Sequence, residues 1–178
     1  MKIKYESLRS GDIVFTGGHS PLAAAIRFVT HGSVRGASST PTHVGIIIDF
    51  HDQKLLAEMQ ADGLRISSLE EYLESRRKFI VAIGRIHSMT KSRSISVCRM
   101  IALDRRKTIE YDFAGIASFV SGIEDSDKKY YCSEYVISLL IRAGINIICK
   151  NDEKYSPYDI IKMFDDPYFG NLIDWKAE

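Results

Sequence analysis

The sequence contains no apolar run that could cross a membrane. Its longest apolar runs, residues 44–48 and 136–141, fall far short of the roughly 18 consecutive residues that a membrane span needs. Residues 1–7 turn polar without the apolar stretch of a secretory signal. We therefore expect no transmembrane segment, and a cytoplasmic location for the chain as given.

Cysteine is scarce, and the common ligand motifs are missing. The chain has 3 cysteines, so at least one is unpaired, and none forms a Cys-x-x-Cys pair. No Gly-rich phosphate loop, His-Glu-x-x-His or Gly-x-Ser-x-Gly motif occurs. These absences argue against a disulfide scaffold and a structural zinc site, and we expect neither a metal nor a cofactor. The chemistry left to consider is that of a lone thiol.

Charge of one sign is also lacking, because 24 Lys and Arg residues face 23 Asp and Glu residues and leave a net charge of +1. Without a basic field we expect no nucleic-acid partner. Basic clusters at residues 76–78 and 105–107 have acidic neighbours and are interpreted as solvated surface. With 45% hydrophobic residues and only 4 prolines in 178 residues, the composition predicts one folded domain spanning residues 1–178.

Hydrophobic periodicity predicts a mixed α+β chain. The segments with strand character are residues 12–16, 43–49, 55–59 and 79–86, and those with helical character are residues 21–30, 68–75, 91–109 and 132–143. A polar turn at residues 51–53 joins two of the strands and indicates a hairpin. The helix from residue 132 has the clearest apolar face, and Gly144 is placed to end it. Aromatic residues after residue 154 are expected to anchor the tail to the body.

The three cysteines differ in context. Cys98 falls on a predicted helical stripe with Ile95, Ala102 and Ile109 and is expected in the core, whereas Cys149 follows an apolar run and is expected to be structural. Cys132 starts the amphipathic helix, so its thiol should lie at a helix N-terminus. Unpaired N–H groups and the positive dipole end favour a thiolate there. The alternative is a small apolar residue at a helix start.

A histidine and a glutamate share the predicted hairpin. His43 opens a β-branched strand, and a turn centred between His51 and Asp52 places Glu58 opposite Gly45, on the face that carries His43. A carboxylate in an otherwise apolar strand needs a partner, because a buried unpaired charge is costly. The set Cys132, His43 and Glu58 has the pattern of a nucleophile, a base and an orienting group. The other histidines, which lie in predicted loops or turns, are expected to be solvated: His19, His31, His51 and His87.

Three short motifs carry a family resemblance. The first two are Gly-Asp-Ile-Val-Phe at residues 11–15 and Thr-His-Val-Gly-Ile at residues 42–46, and the third is Tyr-Tyr-Cys-Ser-Glu-Tyr-Val at residues 130–136. The first two resemble elements of the NlpC-type papain-like cell-wall hydrolases, in which the cysteine element comes first. Here it comes last, an order similar to that of the circularly permuted branch with its YiiX-like amidohydrolases and lecithin retinol acyltransferase relatives. The resemblance spans residues 11–143.

The resemblance implies an α+β, circularly permuted papain-like fold, with a small antiparallel sheet packed on the helix that carries the cysteine. It makes Cys132 the nucleophile, His43 the base and Glu58 the third polar residue. Tyr111 resembles the tyrosine that lines the oxyanion site, although an ordinary half-buried aromatic is the alternative. The backbone N–H of Cys132 is the stronger candidate for an oxyanion donor. Residues 20–42 are expected to form a lid over the site.

Three functions are compatible with this sequence. The first is a cysteine hydrolase that cleaves amide bonds, such as those of peptidoglycan stem peptides, through a thioester. The second is a lipid-directed acyltransferase or deacylase, for which residues 21–30 would offer an apolar lid; the third is a catalytically silent binding module. The substrate would accordingly be a peptide, an amide or a lipid acyl group. Because a wall substrate lies outside the cytoplasmic membrane, phage-borne, secreted-effector and cytosolic recycling roles all remain open.

Overall fold

A six-stranded antiparallel sheet forms the centre of the molecule. The computed structural model describes residues 5–18, 40–107, 110–111, 129–147 and 155–173. The strands of this sheet are β1 (Ile13–Thr16), β2 (His43–Phe50), β3 (Gln53–Gln60), β4 (Gly63–Ser68), β5 (Ile80–Ile86) and β8 (Gly170–Ile173), arranged in the order β4-β3-β2-β1-β5-β8. A separate parallel pair joins β6 (Glu110–Tyr111) to β7 (Lys129–Tyr130). The α+β class predicted from the sequence is confirmed.

Helices pack on both faces of the sheet. They are α1 (Leu69–Arg76), α2 (Lys91–Arg105), α3 (Cys132–Arg142) and α4 (Pro157–Met163). α1 is capped by the Ser68 side chain, which accepts a hydrogen bond from the N–H of Glu71, and α4 begins with a capping box between Ser156 and Asp159. α3 is followed by its C-cap Ala143 and then by Gly144, whose φ of 76° suits glycine. None of the helices in these ranges is long and apolar enough to cross a membrane.

Strand alternation divides the core into two apolar clusters. The larger cluster joins one face of the sheet to α2, α3 and the region around Phe164, and it includes Val44, Ile46 and Val136. The smaller cluster lies under α1, where its buried members are Leu8, Val14, Ile47, Leu56, Leu69, Tyr72, Leu73 and Ile83. The sheet therefore lies between two apolar clusters, and α1 is the one α-helix in the described part of the chain that contributes buried residues to the second cluster.

The face under α1 changes from apolar to polar along the strands. Each strand alternates its side chains, so residues two apart share a face. On this face β1 runs from Val14 to Thr16, while β3 runs from Leu56 to Glu58 and Gln60. In β2, His43 lies directly across from Thr16. One end of the α1 face is thus a buried apolar core, and the other end is a row of polar side chains.

Several sequence predictions need correction. The stripe predicted for α2 is wrong, because Ile95 and Ala102 are exposed and the buried side carries Val97, Ile101 and Asp104. Side chains of α3 donate hydrogen bonds to the Asp104 carboxylate, so the side of α2 that carries Asp104 faces the core. The helix ends at Arg105 rather than at residue 109. Cys98 packs against the core but is only partly buried, with its sulfur 3.7 Å from the Asp49 carbonyl oxygen.

Among the strands and α-helices described above, five were not predicted from the sequence: β4, β6, β7, α4 and β8. The tail that contains the last two is anchored by aromatic rings, as expected, since Phe164 packs edge-on against both Phe15 and Phe169. The predicted helix 21–30, the predicted lid 20–42 and Cys149 lie largely or wholly outside the described residues.

Candidate active site

Cys132 is the first residue of α3, as predicted. Tyr131 before it is extended, with φ −93° and ψ 170°, and the helical hydrogen bonds begin from that residue. The side chain of Cys132 is buried at 2% exposure. Its sulfur interacts with the backbone N–H groups of Ser133 and Val44, one from its own helix and one from β2. The thiol therefore lies where a helix N-terminus meets the start of a strand.

His43 opens β2 and pairs with Glu58 of β3. The distance from His43 Nε2 to Glu58 Oε2 is 2.7 Å, a strong charge-assisted hydrogen bond. The Glu58 side chain is 1% exposed, whereas that of His43 is 26% exposed. The imidazole is thus held on one side by the buried Glu58 carboxylate, and another side of the ring is open to solvent.

The hairpin register that brings these two residues together is the predicted one. Gly45 lies opposite Glu58, and a turn with positive φ at His51 and Asp52 connects the strands. A Cβ built at Gly45 would lie 3.2 Å from the Glu58 Cβ and 3.1 Å from the Ala57 carbonyl oxygen, both unusually close contacts. Glycine at this position leaves the space that lets the Glu58 side chain lean toward His43.

The thiol and the imidazole form an ion pair. Burial by itself lowers the pKa of His43, but the Cys132 thiolate and the Glu58 carboxylate outweigh burial and raise that pKa to about 10. Burial by itself raises the pKa of the Cys132 thiol, but the His43 cation and the two backbone N–H groups outweigh burial and lower it. Because Glu58 binds Nε2, the hydrogen bond to the thiol falls to Nδ1 of the ring.

Glu58 has two further partners that the sequence analysis did not assign. Gln60 donates from Nε2 to Glu58 Oε1 at 2.5 Å, and the Tyr72 hydroxyl of α1 also hydrogen-bonds to this carboxylate. The period of two in β3 places Gln60 on the face of Glu58, so that contact could have been found from the sequence. No local signal points to Tyr72, since its position depends on how α1 packs on the sheet.

Tyr111 is the fourth predicted site residue. Its backbone pairs with that of Tyr130 in the β6–β7 ladder, two residues before Cys132. The fold therefore brings the Tyr111 backbone to the segment that leads into α3. The position of the Tyr111 side chain lies outside the described part of the chain, so its predicted role at the oxyanion site stays a prediction.

The remaining candidates that the structure describes lie in turns or on the surface. His51 and His87 occupy turns, as predicted, while His19 and His31 lie outside the described ranges. The side chains of residues 76–78 and 105–107 are exposed, in agreement with a solvated surface. Among the side chains that the structure describes, no group of three or more His, Cys, Asp or Glu residues is placed to hold a metal ion.

A buried thiolate at a helix N-terminus, paired with a histidine on an antiparallel sheet, defines a papain-like cysteine hydrolase. The histidine precedes the cysteine in the chain, which makes the arrangement a permuted one. The chain belongs to the C92 family of permuted papain-like amidase enzymes (YaeF/YiiX), whose model matches residues 7–159. No curated protein sequence matches it.

A solved structure supports the same fold. It is the crystal structure of metalloprotein yiiX from Escherichia coli O157:H7, which is 17% identical and superimposes with a TM-score of 0.59 over 93% of this chain and 87% of that chain. At this identity the likeness shows the permuted papain-like fold, which confirms the fold prediction. That protein is named a metalloprotein, whereas the described residues of this chain offer no ligand cluster that fits a metal, so no reaction step is assigned to one.

Proposed function

We propose that this protein is a cysteine amidase in which Cys132 is the nucleophile, His43 is the general acid and base, and Glu58 orients the imidazole. The proposed substrates are peptide or related amide bonds, such as those of peptidoglycan stem peptides. The observation that carries the proposal is the continuous contact from Glu58 through the His43 ring to the Cys132 sulfur. Membership of an amidase family supports the proposal that the bond cleaved is an amide.

The first half-reaction forms a thioester. The Cys132 thiolate attacks the carbonyl carbon of the amide, and the electron pair of the C=O bond moves onto oxygen. The backbone N–H of Cys132, free of a helical partner at the first position of α3, is suited to donate to that oxyanion. His43 then gives its Nδ1 proton to the departing nitrogen, the C–N bond breaks, and the amine leaves.

The second half-reaction restores the enzyme. Neutral His43 takes a proton from water as the water oxygen attacks the thioester carbon. The tetrahedral intermediate collapses, the C–S bond breaks, and a carboxylic acid leaves. Cys132 returns as a thiolate beside the His43 cation, so the resting charge state is regenerated in every cycle.

The acyltransferase or deacylase alternative uses the same first half-reaction on a lipid ester or amide. It differs in the acceptor or in the acyl group that the site admits. The apolar segment 21–30 was the sequence feature in its favour, and that segment lies outside the described residues. No contact of the described residues favours a lipid, so the amide substrate is preferred.

The proposed nucleophile can be tested by trapping the acyl enzyme. The protein is incubated with activated amide and ester donors, quenched in acid, and mapped by peptide mass spectrometry. We expect the acyl mass on the peptide that contains Cys132, and its loss in Cys132→Ala. Cys98→Ala is the matched control, because Cys98 is a partly buried thiol on α2, and it should keep the label. Acylation of Cys98 instead, or label that survives in Cys132→Ala, would contradict the proposal.

Cooperation between the two residues can be tested by a double-mutant cycle. Cys132→Ala and His43→Ala should each abolish amide turnover, and the double variant should be no slower than either single one, because such residues act as a unit. Initial rates of amine release and thermal unfolding are measured for all three. Additive losses in the double variant would show that the residues do not act in one step.

A further inference from the structure

The buried carboxylate of Glu58 is held by more than the catalytic histidine. Each of its two oxygens has an identified donor, with His43 Nε2 on Oε2 at 2.7 Å and Gln60 Nε2 on Oε1 at 2.5 Å. Arg65 on β4 lies across from Glu58 in register and approaches the Gln60 side-chain oxygen at 3.4 Å from Nη1. Gln60 is thus itself supported from the neighbouring strand, with its amide nitrogen directed at the carboxylate.

Tyr72 hydrogen-bonds to the same carboxylate. It belongs to α1 and is 8% exposed, and its ring packs with the apolar cluster that includes Leu56 and Ile47. Its hydroxyl is hydrogen-bonded both to Glu58 and to Thr16, the residue that lies across from His43 in the sheet. Tyr72 therefore spans the boundary between the apolar and polar ends of the α1 face.

We infer that Gln60 and Tyr72 are positioning residues that clamp Glu58, fixing its orientation toward His43 and keeping it ionised. The inference rests on the proposed function, because the clamp acts on the reaction only through Glu58 and His43. The Cys132 sulfur is held instead by His43 and by the backbone N–H groups of Val44 and Ser133. A carboxylate has room for about four hydrogen bonds, so the three donors complement one another rather than compete.

The electrostatics of the site agree with the clamp. Burial by itself raises the pKa of Glu58, and hydrogen bonds from His43, Gln60 and Tyr72 help to lower it instead. Burial and the Glu58 charge raise the pKa of Tyr72, which keeps its hydroxyl protonated and able to donate. Among the described residues, the titratable and charged groups placed around the carboxylate are His43, Cys132, Tyr72, Arg65 and Arg76.

The test uses the pH dependence of Cys132 alkylation, which requires no substrate. Tyr72→Phe removes one hydroxyl and keeps the ring, whereas Gln60→Met removes the amide and keeps the length of the side chain. Iodoacetamide rates at Cys132 are measured from pH 3 to 10 by peptide mapping, and circular dichroism confirms that each variant is folded. Gln60 is only partly buried, so its variant tests the clamp even where loss of the Tyr72 hydroxyl disturbs the core.

Tyr135→Phe is the matched control. Tyr135 is also a buried tyrosine whose hydroxyl donates to a carboxylate, Asp104 Oδ2 at 3.4 Å, but it packs in the cluster on the opposite face of the sheet. The two Tyr→Phe variants should lose similar thermal stability. Only the variant at Tyr72 should change the pH profile of the thiol.

We expect the acid limb of the alkylation profile to move upward by about 0.5 to 1 pH unit in Tyr72→Phe and in Gln60→Met, because a less firmly held Glu58 stabilises the imidazolium less. The Tyr135→Phe profile should overlay that of the wild type. If the wild-type acid limb lies at low pH and neither Tyr72→Phe nor Gln60→Met moves it, the clamp is overturned and the proposed function stands. A wild-type Cys132 that titrates as an ordinary thiol overturns the proposed function and the clamp together.

Discussion

At the scale of single residues, the charge state of Cys132 and His43 is the property with the most direct consequences. The neighbouring cation lowers the pKa of the thiol, and the neighbouring anions raise the pKa of the imidazole to about 10. Both shifts favour the pair of thiolate and imidazolium over the neutral pair. Such a thiol is reactive under conditions in which most cysteines are protonated.

We predict that Cys132 is alkylated by iodoacetamide at pH 6 at least about tenfold faster than Cys98 or Cys149, because Cys132 combines a helix N-terminus with an adjacent imidazolium. Competitive labelling followed by peptide mapping measures the three rates in one sample. His43→Ala should bring the Cys132 rate down toward that of the other thiols. Equal labelling of all three in the folded wild type would remove the nucleophile assignment.

Glu58→Gln should weaken catalysis without abolishing it, since the amide keeps a polar contact with His43 but supplies no negative charge for the imidazolium. We expect a rate loss about 10- to 100-fold smaller than that of Cys132→Ala, as is found for orienting carboxylates of triads. Amide hydrolysis by the two variants gives this comparison. Wild-type kinetics in Glu58→Gln would mean that another group holds the ring.

The same substitution has a pH-dependent effect on stability. The pKa of Glu58 is lowered in the folded protein, so its ionisation contributes stability above the unfolded pKa of about 4.3, and this contribution is lost as the pH falls through the folded value. The difference in Tm between wild type and Glu58→Gln should be full above about pH 5 and shrink in more acidic buffer. A difference that grows on acidification would contradict the assigned direction.

At the scale of secondary-structure elements, the β2–β3 hairpin positions His43 and Glu58 together. The β-branched run from His43, the polar turn and the alternation around Glu58 are all local, so strand, turn and register could be predicted correctly. The start of α3 at Cys132 is equally local, because it depends on an amphipathic pattern that ends at Gly144.

The sequence prediction missed other elements for different physical reasons. β8 exists because it pairs with β5, a contact between segments far apart in the chain that no local pattern reveals. α4 did have a local signal, since Ser156, Pro157 and Asp159 form a capping box with proline in the first turn. On α2 the predicted stripe is wrong because the buried side includes a charged residue, Asp104, which an apolar pattern does not mark and which is buried against Arg142.

Gly45→Ala should disturb the hairpin at the site. The added methyl would crowd the Glu58 Cβ and the Ala57 carbonyl oxygen, so we expect a loss of about 1–3 kcal/mol in unfolding free energy and slower Cys132 alkylation at pH 6. Ile47→Val is the control, since it lies two residues along the same face and should lose about 1 kcal/mol with no change in alkylation. Denaturant unfolding and labelling rates separate the two effects. Equal alkylation in both variants would contradict the spacing argument.

At the scale of the whole molecule, the sequence was sufficient to predict the class and the permuted papain-like fold. Its three motifs occur with the cysteine motif last, which is the order of the permuted branch. The contact between His43 and Cys132 could be expected only through that resemblance, since nothing local joins a strand to a helix so far along the chain. The support of Glu58 by Tyr72 could not be expected, because it requires the packing of α1 on the sheet.

Chelators should leave the activity unchanged. No group of ligand-type side chains in the described residues is arranged to hold a metal, and the proposed steps use only the thiol, the imidazole and backbone N–H groups. Amide turnover and Cys132 alkylation are compared before and after dialysis against EDTA. A loss of turnover in EDTA that a divalent metal restores would overturn the thiol mechanism.

The order of the elements along the chain also has a consequence in time. Strands β1 to β5, with the complete hairpin of His43 and Glu58, precede α3 in the chain. A ribosome adds roughly 5–20 residues per second, so these strands emerge and can begin to pair while Cys132 has yet to be made. The contacts that lower the pKa of the thiol come from His43 and Val44 as well as from α3 itself, so they form only when α3 docks against the hairpin. The strand that carries His43 is therefore always synthesised before the thiol that it contacts.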